Sequence, residues 1–211
     1  NGGTNASSFT SNYVVYFDGT RLVGGSALQF NGTTLTAAND VSINGQTVGK
    51  GGGAVSNNTA HGLSALSSNT TGSGNTGVGY QALSANLIGA YNTVIGYQAG
   101  SQNTGNGNAF IGAQAGYSNT SGTSNTFVGG LDGAGTGYSP GYNNTTGIQN
   151  TAVGSGSLQS NLIGSQNVAI GYQSLKLTTV SNLTAVGYQA LYSNTTGTPN
   201  VGVGVQALFG N

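Results

Sequence analysis

The 211-residue chain carries three Lys/Arg and three Asp/Glu, is only 3% charged, and holds 40 glycines but no Cys, Met or Trp. The zero net charge argues against nucleic acid, whose phosphates need neutralising cations. The absence of Cys excludes disulfides and thiolate metal sites, and no apolar run approaches the roughly 18 residues of a membrane-spanning helix. Intrinsic disorder usually combines low hydrophobicity with high net charge. A neutral Gly/Asn/Thr/Ser-rich chain with regularly spaced Val, Ile, Leu and Tyr points instead to tightly stacked backbone.

In chain order, residues 1–49 read as a strand-rich, shaft-like segment. Its expected strands are Tyr13–Phe17, Leu28–Phe30, Thr34–Thr36 and Val41–Ile43. Asp18-Gly19, Asn31-Gly32 and Asn44-Gly45 beside them are strong hairpin signals. Residues 50–57, opening with Lys50-Gly51-Gly52-Gly53, read as a Gly-rich linker.

From Asn58 to the end, a motif of the form Asn-Thr-x-Val/Ile-Gly-Tyr-Gln-Ala-Leu recurs, as in Asn75–Leu83, Asn167–Leu175 and Asn200–Leu208. Its anchor glycines (Gly62, Gly79, Gly96, Gly112, Gly129, Gly154, Gly171, Gly187 and Gly204) are spaced 17, 17, 16, 17, 25, 17, 16 and 17 residues apart. A weaker Asn-x-x-Gly motif falls between anchors, at Asn69, Asn86, Asn119, Asn144, Asn161 and Asn194. The period is too short for a helical hairpin and suits one coil of a parallel β-solenoid. The fold class expected is therefore all-β, a β-solenoid or β-roll of about nine coils over residues 58–211.

Each coil is expected to hold two short extended pieces, separated by turns in which Asn and Gly take positive φ. The Val or Ile before each anchor glycine is expected to point inward and form the apolar ladder. The anchor glycine and the variable residue two places before it would then face outward. The core of one such coil is thin, so several chains are expected to pool theirs.

The repeats resemble the head repeats of trimeric autotransporter adhesins, and still more the related arrays of bacteriophage tail fibres. In those arrays, segments similar to Asn31–Thr36 and Val41–Gly53 precede the repeats. The resemblance implies a homotrimeric left-handed parallel β-roll in a virion tail fibre that recognises a host-surface glycan or protein. A bacterial adhesin head at the cell surface is the alternative. The period departs from that of the adhesin heads, which is shorter. A third reading is a purely structural fibre. The last coil, Asn200–Leu208, shows no polar cap, so its edge is expected either to meet further coils or to dock on another copy as a head-to-tail filament.

No enzyme, cofactor or metal site is expected. His61, the only His, stands in the Val/Ile slot of the first coil and reads as solvent-facing or capping. A catalytic His needs a positioned carboxylate or nucleophile, and only three acids exist. Gly72–Gly77 matches G-x-G-x-x-G without a strand-turn-helix context or a following acid. Calcium-binding solenoids need an acid in every coil, and Asp132 is alone in the array. Ice binding by a flat face needs Thr-x-Thr rows, and the threonines are read as lying mostly in turns. Sequons such as Asn69, Asn119, Asn144 and Asn194 matter only in a eukaryotic secretory host.

Two features are candidate receptor contacts. Tyr80, Tyr97, Tyr172 and Tyr188 share one slot of four coils and form either a sugar-stacking ladder or ordinary inter-coil packing. The 25-residue spacing places about eight extra residues within Gly130–Tyr142, with Asp132, Tyr138 and Tyr142 among them; such an insertion maps to a loop on one face of a solenoid.

Overall fold

The computed structural model describes residues 13–17, 22–30, 35–37, 40–44, 46–131 and 139–210. The chain forms two compact units, Asn1–Val41 and Ser42–Asn211. In the first, β1 (Tyr13–Phe17), β2 (Leu22–Phe30) and β3 (Leu35–Ala37) make an antiparallel sheet in the order β1-β2-β3. The expected strand at Leu28–Phe30 is the end of a longer one that begins at Leu22 and runs through Gly24 and Gly25. Glycines weaken a strand pattern, which hides that extension in the sequence. The hairpin signals at Asp18-Gly19 and Asn31-Gly32 lie outside the described residues.

The second unit is a parallel β-solenoid. After β4 (Val41–Ile43) and β5 (Gln46–Gly49) come nine strands of three or four residues: β6 (Thr59–His61), β7 (Thr76–Val78), β8 (Thr93–Ile95), β9 (Ala109–Ile111), β10 (Thr126–Val128), β11 (Thr151–Val153), β12 (Val168–Ile170), β13 (Leu183–Val186) and β14 (Asn200–Val203). They stack in chain order, each in parallel register with the next, so that Thr76, Gly77 and Val78 oppose Thr93, Val94 and Ile95. Neighbouring strands in a sheet lie about 4.8 Å apart, and that is the rise per coil.

Each coil holds one strand rather than two extended pieces. The other half is a chain of turns that still bonds coil to coil, as in Leu66 N–H to Ala82 O (3.0 Å) and Thr70 N–H to Leu87 O (2.8 Å). Positive φ falls on the Gln and Leu of the Gln-Ala-Leu segment, such as Gln81 and Leu83 (both 54°), not on the Asn of the motif. That conformation is unfavourable for an L-residue. Burial of Leu66, Leu83, Leu158, Leu175 and Leu191 offsets it. The anchor glycines have φ between 116° at Gly154 and 144° at Gly96. A Cβ on Gly79 would stand 2.5 Å from the carbonyl oxygen of Gly96 in the next coil.

The inward face of the strands is the opposite of the one expected. Ile95, Ile111 and Ile170, each before an anchor glycine, are 39–40% exposed, and Val153 and Val186 are half-buried. The residue one place earlier is buried instead: Ala60, Val94, Phe110, Phe127, Ala152, Ala169 and Ala185 are at most 1% exposed. A shift of one residue exchanges the two faces of a strand, and volume decides which face fits inside. The interior holds this third residue of the coil together with the ninth, and the two compensate. Where the third is Gly or Ala, the ninth is Leu. Where it is Val94 or Phe110, the ninth is Gly100 or Gly116, and against Phe127 the chain after the insertion puts Gly141 in the same place. A Cβ on Gly116 would meet the Phe110 ring at 2.8 Å, and the Phe110 and Phe127 rings stack at 5.0 Å.

The small eighth residue, Ala82, Ala99, Ala115 or Ala190, is buried beside them, and much of the remaining core is amide. The first Asn of the motif forms one buried column, including Asn75, Asn92, Asn108, Asn125, Asn150 and Asn167. Each accepts from a backbone N–H of the next coil and donates to a carbonyl near the end of its own. Asn125, for example, accepts from Asn150 N–H (2.9 Å) and donates Nδ2–H to Gly147 O (2.8 Å). The Asn of Asn-x-x-Gly forms a second column, with Asn144 donating to Asn119 Oδ1 (2.7 Å) and Asn161 to Asn144 Oδ1 (2.8 Å). The sequons at Asn69, Asn119, Asn144 and Asn194 are therefore buried inside the coils.

The Gly-rich stretch read as a linker packs on the first coil. Gly52 donates its N–H to Leu66 O (2.9 Å), and Cβ atoms on Gly51 or Gly52 would collide with Leu66 or Ser67. Strand β5 pairs antiparallel with β6, Val48 opposite His61, and so covers the edge of the first coil.

Two substitutions test the core. Phe110→Ala should cost about 3–5 kcal/mol, the usual range for a buried Phe. Adding Gly116→Leu to it should recover part of that loss, since the ninth residue then fills the space. Asn125→Ala leaves Asn150 N–H without its partner, while Gly147 O keeps the Asn144 Nδ2–H (3.1 Å), and should cost about 1–3 kcal/mol for the one orphaned group. Urea unfolding of the purified variants measures all three.

Candidate functional site

The candidate contacts divide between two places on the outer surface. Tyr80 and Tyr97 stack at 5.4 Å with planes 12° apart, and Tyr172 and Tyr188 at 5.6 Å with the same angle. All four rings are exposed, from 37% at Tyr172 to 51% at Tyr97. Beside them runs a glutamine ladder, Gln98 Nε2 donating to Gln81 Oε1 (2.9 Å) and Gln189 Nε2 to Gln173 Oε1 (2.9 Å). The Tyr slot is thus two separate pairs. Ala113, Gly130 and Ser155 occupy the slot in the coils between them.

The stacking limits what these rings can do. A ring inside a stack spends its faces on its neighbours, leaving only its edge and hydroxyl to a partner. The packing role weighed from the sequence accounts for the two stacked pairs, and a sugar-stacking role is left only to ring faces at the ends of a stack.

The insertion emerges within the coil that starts at Asn125. Asp132 and Tyr138 lie outside the described residues. The coil resumes at Ser139, whose hydroxyl donates to Ala113 O (2.8 Å), and Gly116 N–H then bonds to Pro140 O (3.1 Å). Ser139, Pro140 and Gly141 are buried. Tyr142 belongs to the solenoid wall and stacks on Tyr117 at 5.1 Å. Burial first, and Tyr117 second, raise the Tyr142 hydroxyl pKa above the ordinary tyrosine value. The neutral ring is therefore the form that the folded wall favours, and this contribution to stability is lost as pH rises beyond the unfolded value of about 10.

The outer face of the strands is a feature that the sequence reading placed inside. Thr59, Thr76, Thr93, Thr126, Thr151 and Thr184 start the strands or follow their first residue, while most described threonines of the array lie outside the strands, as expected. Two residues on, the same face carries Val or Ile, so the rows read Thr-x-Val/Ile and not Thr-x-Thr. His61 takes the Val/Ile place in β6 and is exposed.

Among the described residues, no three His, Cys, Asp or Glu side chains come together as a metal site, and no helix is long and apolar enough to cross a membrane. Comparison with protein-family models, curated proteins and solved structures finds no match in any of the three.

Deleting Leu131–Tyr138 restores a 17-residue spacing between Gly129 and Gly154 and keeps the Ser139–Ala113 bond. The shortened chain should keep its β circular dichroism and melt within a few degrees of the parent. A large loss of melting temperature would mean that the inserted residues brace the coil.

Proposed function

We propose that the array is a structural and attachment segment of an extracellular fibre, a virion tail fibre in the first instance, working as a homotrimer. The observation that supports this is the outer face of the parallel sheet. Val or Ile stands before the anchor glycine in β7 to β14, with Ile95, Ile111 and Ile170 at 39–40% exposed and Val203 at 68%. At about 4.8 Å per coil the column runs for roughly 34 Å. Isolated apolar side chains on a surface are ordinary, but a continuous stripe of this kind marks an interaction face.

The occupant of the stripe is a second copy of the same chain. The two outward columns hold no Asp, Glu, Lys or Arg, so identical faces meet without like-charge repulsion. Thr and the β-branched residues beside it also leave a low surface that a matching surface can approach. A rod whose coils repeat every 16 or 17 residues offers the partner one register per coil, and this is what a fibre needs: length, stiffness and a lateral surface free for recognition. A bacterial adhesin head would use the same assembly.

Light scattering on the purified chain at micromolar concentration should give about three times the 20.7 kDa chain mass. Ile111→Asp, on the outer face, should lower that mass while leaving the circular dichroism of the coil, since Ile111 does not line the core. A folded monomer of the parent chain would overturn the proposal.

A further inference from the structure

Among the described residues, the end of the first tyrosine stack is open on one side. Backbone bonds fix the column: Gln81 N–H to Leu63 O (2.9 Å), Gln98 N–H to Tyr80 O (2.8 Å) and Gln114 N–H to Tyr97 O (2.8 Å). Leu63, Tyr80, Tyr97 and Ala113 thus occupy the same place in four consecutive coils. Tyr80 has Leu63 on one side and the Tyr97 ring on the other. Tyr97 has Tyr80 on one side and, on the other, Ala113, whose side chain ends at Cβ. The exposures agree, 40% for Tyr80 against 51% for Tyr97.

The glutamine ladder ends at the same level. Gln114 Nε2 donates to Gln98 Oε1 at 3.2 Å. The residue that would continue the ladder is Leu131, and among the described residues no group donates to Gln114 Oε1. One coil rise beyond Tyr97 there is therefore a step with an aromatic face as its floor and an amide acceptor at its side.

We propose that this step is a binding slot for one neutral pyranose ring of a surface glycan. The inference rests on the attachment reading above and names the chemistry it would use. The sugar takes the place of the missing aromatic rung, with its C–H face on the Tyr97 ring and a hydroxyl donating to Gln114 Oε1. Apolar and aromatic surface with a few placed polar groups is the general composition of a small-ligand site. Neutral sugar is the chemistry that fits, because the coils on either side of Tyr97 contribute no cation to pair with an acidic one. The second stack is a poorer candidate. Tyr172 ends it beside Ser155, but Gln173 Nε2 already donates to the Tyr172 hydroxyl (3.2 Å), and the ring is only 37% exposed.

Saturation-transfer NMR on the full chain with lactose, maltotriose, cellotriose, mannotriose and sialyllactose tests the slot. At least one neutral sugar should receive transfer. Its affinity should fall tenfold or more in Tyr97→Ala, and equally in Ala113→Tyr, where an added ring fills the slot and continues the stack. Tyr188→Ala, in the other stack, should leave the affinity within twofold. Transfer to no sugar, transfer to sialyllactose alone, or binding that survives Ala113→Tyr would each overturn the slot. Light scattering of the same variants keeps the two proposals apart, because the parental mass tests the fibre reading whatever the sugars do.

Discussion

Everything in the solenoid depends on hydrogen bonds made from one coil to the next along the axis. A three-residue strand is too short to be stable alone, and the turn half of each coil has no ladder of its own. Every coil satisfies its backbone through its neighbours, and the two buried Asn columns extend that exchange into the interior. Buried polar groups must be paired, so the core specifies the coil length as well as its own packing. An Asn Oδ1 in the first column meets the next backbone N–H only if the next coil arrives in register.

The exceptions show how tight that condition is. Asn86 Oδ1 and Asn161 Oδ1 are buried without a partner. Each lies in the coil before a 16-residue one. In the first case the following turn is one residue shorter, and Asn103 gives its amide to its own Gly105 O (3.1 Å) rather than back to Asn86. In the second, the following position is Thr178, which has no amide to give and whose own Oγ1 is unpartnered. A missing residue in the turn thus appears as an unsatisfied oxygen one coil away. Buried orphans of this kind cost about 1–3 kcal/mol each, a loss that the stack absorbs because its other rungs are complete.

Much of this architecture was legible in the sequence, and what was not legible follows from how sequence signals arise. The anchor glycines gave the period, because only glycine fits where φ is positive and the next backbone is close. The strand positions followed from the same spacing. The inward face is hidden in the sequence because Val and Ile, the most regular apolar residues of the motif, lie on the outer face, so regularity does not mark burial here. The inner position looks irregular, since it alternates among Gly, Ala, Val and Phe. Its signal is correlation, not conservation of type: each Phe or Val is matched by a Gly six residues on, except where the insertion lengthens that interval between Phe127 and Gly141. The Asn columns are disguised as turn residues because Asn is common in turns; their recurrence at two positions of the coil is the sign of an interior role. The tyrosine slot could be found from the sequence, but which ring faces remain open depends on neighbouring coils.

The two orphaned asparagines lie 75 residues apart, each in an Asn-Leu-Ile-Gly corner, and the same offset relates Tyr97 to Tyr172 and Tyr117 to Tyr192. The spacings 17, 16 and 17 that follow Gly79 return after Gly154. The array thus has the form of a copied block of four coils in which the defect was copied too. Between the copies the turn lengths have stayed fixed while the filling has changed: Val94/Gly100 and Phe110/Gly116 in one block stand where Ala169/Leu175 and Ala185/Leu191 stand in the other. Divergence along this rod has been free to trade volume in pairs within a coil. It has had no comparable freedom to change where a coil ends.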